Sequence, residues 1–168
     1  SLCRSLGTAN TTYNLSMNIN DNTITNDCMI VSAQNITFNC NGYSISSTQN
    51  YTGVYSNQRN TTVKNCNISM GTGNNTNSMG IEMTDAADYS TILNNTIVGS
   101  GMYYGLWTGA EYQNISNNNV NVTCLACSGF YLTNSNNNTL TSNTVTSISN
   151  IGIYILSSNN NTLTGNKG

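Results

Sequence analysis

The 168-residue sequence predicts an all-β chain wound as a right-handed parallel β-helix, a β-solenoid of about six to seven coils of about 25 residues. Three observations carry this. A short pattern recurs down the chain, a glycine column recurs in step with it, and no segment shows helical periodicity.

The pattern is apolar, x, x, Asn, x, apolar. It starts at Ile92 (ILNNTI), Ile115 (ISNNNV), Leu140 (LTSNTV) and Leu163 (LTGNKG), with variants at Phe38 (FNCNGY) and Val63 (VKNCNI). Successive starts lie 25, 29, 23, 25 and 23 residues apart, the length of one coil. The first apolar column is Phe38, Val63, Ile92, Ile115, Leu140 and Leu163; the second is Tyr43, Ile68, Ile97, Val120 and Val145. Between them runs Asn41, Cys66, Asn95, Asn118, Asn143 and Asn166. Stacked Asn amides bond along a solenoid axis at a tight bend, so this column needs no functional explanation. A second strand follows Gly53, Gly80, Gly105, Gly129 and Gly152. Val54, Ile81, Leu106, Phe130 and Ile153 are then expected inward, and Tyr55, Glu82, Trp107, Tyr131 and Tyr154 outward, because strand side chains alternate. Segment 1–27 is expected to cap the helix, which is expected over 28–168 as a single domain.

Composition narrows function. The chain holds 34 Asn, 24 Thr and 20 Ser against 4 Lys+Arg, 6 Asp+Glu, no His and no Pro. Neutralising phosphates takes clustered Lys and Arg, so nucleic acid is not expected as a partner. No apolar run approaches the ~20 residues of a membrane-spanning helix. The chain opens at Ser1 without a signal-like segment, as a mature, processed product would. Six cysteines in so polar a chain favour disulfides and an oxidising, extracellular or cell-surface location. Cys3 with Cys28, Cys40 with Cys66 and Cys124 with Cys127 are the favoured pairs, although six cysteines allow 15 pairings. Only Cys124-x-x-Cys127 has metal-ligand spacing, and no second such pair accompanies it, so no metal or cofactor is expected.

Twelve asparagines sit in Asn-x-Ser/Thr sequons: Asn10, Asn14, Asn35, Asn50, Asn60, Asn67, Asn74, Asn94, Asn114, Asn121, Asn137 and Asn160. This composition would supply roughly 9 by chance. A surface with almost no charge nonetheless needs another source of solubility, and glycans supply one.

These residues resemble a known family. The stretch CMIVSAQNITFNCNGYSI (Cys28 to Ile45) looks like the opening coil of the parallel β-helix repeat family of carbohydrate-binding proteins and sugar hydrolases, in its NosD-like secreted form. NTTVKNCNI (Asn60 to Ile68) and GIYILSSNNNTLTGN (Gly152 to Asn166) look like later coils, and LCRSLGTANTTYNLSMNI (Leu2 to Ile19) like the segment that precedes the first. The resemblance covers nearly the whole chain. It implies the fold and a secreted form common among archaeal surface proteins, and brings no catalytic motif to carry over.

Two groups of residues are candidates for function. Four residues before each apolar start stand Gln34, Arg59, Asp88, Glu111, Asn136 and Asn159, which would place Asp88 and Glu111 on adjacent coils beside Arg59. Two carboxylates about 5 Å apart suit a retaining glycosidase. The alternative is an exposed turn with a weak Arg59–Asp88 ion pair, and it is preferred here, because no base titrating near neutrality accompanies the acids. Asp85 and Asp88 are a weaker calcium candidate. The second group is the outward aromatic face of Tyr55, Trp107, Tyr131 and Tyr154, either a cross-strand ladder covered by loops such as Ser69 to Ser78 or a platform that stacks on sugar rings or on another subunit. The expected function is therefore a glycosylated structural protein, a subunit of a surface fibre or adhesive stalk that self-associates into a polymer. A polysaccharide-active enzyme or a carbohydrate-binding β-helix is the alternative. An uncapped last coil, open to strand addition, favours the polymer.

Overall fold

The structure, a computed structural model, describes residues 2–71, 75–124, 126–148 and 151–168. Among these residues all regular structure is strand, wound as a β-solenoid. The first coil contributes β1 (Arg4–Leu6), β2 (Thr12–Asn14) and β3 (Ile19–Asn20). The second contributes β4 (Met29–Val31), β5 (Thr37–Asn39) and β6 (Ser44–Ser47), and the third β7 (Val54–Ser56), β8 (Thr62–Lys64) and β9 (Asn67–Met70). Then follow β10 (Asn75–Met83), β11 (Thr91–Leu93) and β12 (Thr96–Gly99), and next β13 (Met102–Thr108), β14 (Asn114–Ser116) and β15 (Asn119–Val122). The last are β16 (Ser128–Thr133), β17 (Thr139–Thr141), β18 (Thr144–Ser147), β19 (Ile153–Leu156) and β20 (Thr162–Thr164).

Each coil gives one strand to each of three parallel sheets. Two sheets have seven strands, β1-β4-β7-β10-β13-β16-β19 and β2-β5-β8-β11-β14-β17-β20, and the third has six, from β3 to β18. Residues 4–20 supply the first strand of all three. The segment expected to act as a cap is thus built as the first coil, ahead of Cys28.

The core is a set of stacked columns. Phe38, Val63, Ile92, Ile115 and Leu140 are level with one another and fully buried, and Leu163 continues the column at 47% exposure. Val54, Ile81, Leu106 and Phe130 fill the next sheet's inner face, followed by half-buried Ile153. In the third sheet Ile45, not Tyr43, stands level with Ile68. Asn41 and Gly42 both take positive φ, 52° and 84°, and the Tyr43 N–H bonds the Cys40 carbonyl at 2.8 Å. This Asn-Gly turn adds two residues to that coil's corner and leaves Tyr43 in solvent.

The same turn removes Asn41 from the amide column, where Cys40 stands opposite Cys66 instead. Above it the column is intact. Asn95 donates Nδ2 to Asn118 Oδ1, Asn118 to Asn143 and Asn143 to Asn166, at 2.9–3.0 Å. Each of these Nδ2 atoms also reaches a backbone carbonyl of the coil below, and each Oδ1 takes a backbone N–H. Asn95, Asn118 and Asn143 are at most 2% exposed, so a run of buried amides is satisfied inside the wall.

The corners explain part of the asparagine content. Among the described residues, ten of the fourteen non-glycine positions with positive φ are Asn, the residue besides Gly that tolerates this region best. One corner column reads Asn10, Asn35, Asn60, Tyr89, Tyr112, Asn137 and Asn160, with φ between 56° and 59° at its Asn positions and 60° and 56° at the two tyrosines. The glycine column has another cause. A Cβ at Gly53 would lie 2.7 Å from Ile68 Cγ2 and 2.8 Å from the Gly80 carbonyl, and Gly80, Gly105 and Gly129 are hemmed in likewise by Ile97, Val120 and Val145.

Candidate functional site

On the outer face of the first sheet, Tyr55, Glu82, Trp107, Tyr131 and Tyr154 stand level, one per coil. All are half-buried. Tyr104 stacks on Tyr131 at 4.6 Å between centroids, Tyr131 meets Tyr154 edge-on at 5.2 Å, and Tyr103 packs edge-on against Tyr104 at 4.6 Å. Tyr103 and Tyr104 were not read from the sequence as part of this face. They precede Gly105, outside the two-residue window counted from the glycines, although a Tyr-Tyr pair at the head of a strand was a visible signal. Burial by the strip, and then the neighbouring tyrosines, pushes the Tyr104 hydroxyl well above its ordinary value.

Glu82 is the one carboxylate in this column. Its Oε2 accepts the Thr52 hydroxyl at 3.0 Å, and Thr52 is itself buried, its N–H donating to Asp27 Oδ1 at 2.8 Å. Burial pushes the Glu82 carboxyl above its ordinary value. The Thr52 hydrogen bond opposes this, and Asp27 adds to it.

The second candidate group lies at the corner. Backbone bonds from Asn35 to Arg59, Asn60 to Asp88 and Tyr89 to Glu111 place Arg59, Asp88 and Glu111 on successive coils. They do not form the expected ion pair. The Arg59 guanidinium lies over the Tyr89 ring, 4.2 Å from its centroid, and Tyr89 stacks on Tyr112 at 4.9 Å with planes 8° apart. Asp88 Oδ1 accepts the Glu111 N–H at 2.8 Å, and Glu111 Oε1 accepts Asn136 Nδ2 at 2.6 Å. The Tyr89–Tyr112 pair was not legible as a feature, because a left-handed corner favours Asn or Gly.

Cys3 bonds Cys28 and Cys40 bonds Cys66, each tie joining adjacent coils. Cys124 and Cys127 do not form the third expected bridge: both are free, buried thiols, each turned onto a backbone carbonyl. The Cys127 Sγ turns back onto Cys124, donating to its carbonyl at 2.9 Å and accepting its N–H at 2.9 Å, while the Cys124 Sγ donates to the Met102 carbonyl at 3.2 Å. Burial first, and then the hydrogen bond with Cys127, pushes the Cys124 thiol up to about 11.

Of the sequon asparagines, Asn10, Asn14, Asn35, Asn60, Asn67, Asn94, Asn114, Asn121 and Asn160 are exposed. Asn50 and Asn137 are half-buried, and Asn74 lies outside the described residues. Asn10, Asn35 and Asn60 form an amide ladder of their own, at 2.8 and 3.0 Å.

With the three sheets and their columns in place, comparison with known families is direct. Residues 3–167 match the family model described as periplasmic copper-binding protein (NosD). The chain belongs to the NosD family. No curated protein and no solved structure matches it significantly. The NosD description names copper, whose protein ligands are imidazole, thiolate and thioether. This NosD chain has no His. Among its described residues no three His, Cys, Asp or Glu side chains converge. Its two free thiols are buried and hydrogen-bonded to backbone. With no imidazole and with both free thiols turned onto backbone, no copper centre of His, Cys and carboxylate ligands is assembled among the described residues, and no step is assigned to one. The NosD description is periplasmic, and the chain's own two disulfides are bonds of an oxidising compartment. Among the described residues no helix is long and apolar enough to cross a membrane.

Proposed function

We propose that the chain is an extracellular structural protein, a glycosylated subunit of a surface fibre or adhesive stalk that works without catalysis. The observation that carries this reading is the shared register of its columns. Coil stacks on coil through two seven-stranded sheets and one of six, with a single register shift between Asn75 and Met79 in the β10–β13 pair, and backbone ladders, buried amides and two inter-coil disulfides tie neighbours together. Such a rod resists bending, and its exposed sequons offer sites for a glycan coat in place of charge. Against catalysis, Asp88 and Glu111 each spend an oxygen on holding the corner, and Arg59 is stacked on a ring.

The test is the native protein. Mass spectrometry is expected to find it well above 18.0 kDa, and microscopy is expected to find it in surface-attached fibres or stalks. An unmodified, freely soluble monomer would overturn this reading. Turnover of a polysaccharide that is lost in Asp88→Asn or Glu111→Gln would overturn the absence of catalysis.

A second reading is favoured by one further observation, the ring strip. Tyr104, Trp107, Tyr131 and Tyr154 stand half-exposed on one face of a rigid sheet, which suits adhesion to a saccharide by ring stacking.

A further inference from the structure

The strip contains one group that ring stacking alone does not explain. Glu82 stands level with Tyr55 on one side and Trp107 on the other. It is half-buried, and among the described residues no Lys or Arg forms an ion pair with it. The chain has 4 such cations in all: Arg59 is engaged on Tyr89, and Arg4, Lys64 and Lys167 sit on other coils or sheets. Half-burying an unpaired carboxylate costs free energy. The carboxylate is nevertheless held in place by a hydroxyl that is itself 2% exposed, that of Thr52. Among the described residues no hydrogen bond is made to Oε1, and each neighbouring coil places an aromatic side chain level with Glu82.

A fixed carboxylate between two aromatic rings is complementary to an ammonium group, which gains an ion pair from the first and cation–π attraction from the second. The column then repeats one outward side chain per coil, ~4.8 Å apart, through Tyr131 and Tyr154. That regular advance suits a polymer of repeating rings better than a single small cation. We propose that the Tyr55–Glu82–Trp107 segment of the strip binds a polysaccharide carrying free amino groups, with Glu82 receiving a protonated amine and the rings stacking on the sugar backbone. This rests on the saccharide reading of the strip and names its ligand class.

The experiment is calorimetric titration of the full chain with two probes, oligosaccharides of deacetylated chitin and their fully acetylated counterparts. The deacetylated probe is expected to bind at least tenfold more tightly. Glu82→Gln, which keeps shape and the Thr52 contact, is expected to remove that preference, while Asp21→Asn, a charge-matched control just after β3 on the third sheet, is expected to keep it. Trp107→Ala is expected to weaken both probes. Circular dichroism and a thermal melt of each variant establish that it is folded. Equal binding of the two probes, or an unchanged preference in Glu82→Gln, would overturn the amine site and leave the strip as a saccharide surface. No binding of either probe would overturn both.

Discussion

At the scale of single residues, asparagine does two different jobs in this wall. At the corners it accepts a left-handed backbone; inside the wall its amide saturates its neighbours. Asn118 illustrates the second. It donates to Ile92 O and Asn143 Oδ1 and accepts both the backbone and side-chain N–H of Asn95. Asn118→Ala strands several buried groups at once and is expected to cost about 3 kcal/mol, with chemical denaturation as the measurement. Gly105→Ala is expected to destabilise through contact with Val120 and the Gly129 carbonyl, both fixed by packing. Glu82 carries a pH prediction. Its carboxyl is raised in the folded state, so folding binds its proton more tightly than the unfolded chain does. That contribution is fully present below the ordinary carboxylate range and is lost as pH rises through the raised value. Glu82→Gln is therefore expected to raise the melting temperature at neutral pH and to leave it nearly unchanged in acid. The amide column from Asn95 to Asn166 was legible because every one of these residues follows the same apolar-x-x pattern. Asn41 shares the pattern yet leaves the column, because the following glycine lets the backbone turn there first.

At the scale of the coil, each element is three short strands and three corners, too small to hold its shape alone. What fixes the early coils is covalent as well. Cys40 and Cys66 close a loop with a sequence separation of 26, and Cys3 and Cys28 one of 25. Removing the first bridge by Cys40→Ala with Cys66→Ala is expected to cost about 2–4 kcal/mol, read by thermal melting under non-reducing conditions. The inward and outward faces of the glycine-led strands were legible, since alternation from a fixed start leaves no freedom. The ring strip was legible only in part. Tyr103 and Tyr104 enter it because β13 begins at Met102, three residues before its glycine, and the pattern counted from the glycine does not show how far a strand extends backwards. The corner tyrosines escaped for a different reason. Tyr89 and Tyr112 occupy positions where local preference favours Asn, and stacking between coils, with Arg59 over one ring, outweighs that preference.

At the scale of the whole molecule, stability is a sum of coils and of the interfaces between neighbours. Amide hydrogen exchange is expected to follow this order, with β8, β11 and β14 slowest and β20 fastest, since Leu163 is half-exposed where Val63, Ile92 and Ile115 are fully buried. Uniform exchange along the chain would contradict a nearest-neighbour rod. The near absence of charge also removes much of the repulsion that keeps proteins apart. The central claim, a rigid structural element of the cell exterior, meets its most direct test in electron microscopy of the native cell surface with this chain labelled. Label along surface-attached fibres or stalks is the result expected. Label confined to dispersed, unattached single molecules would contradict it.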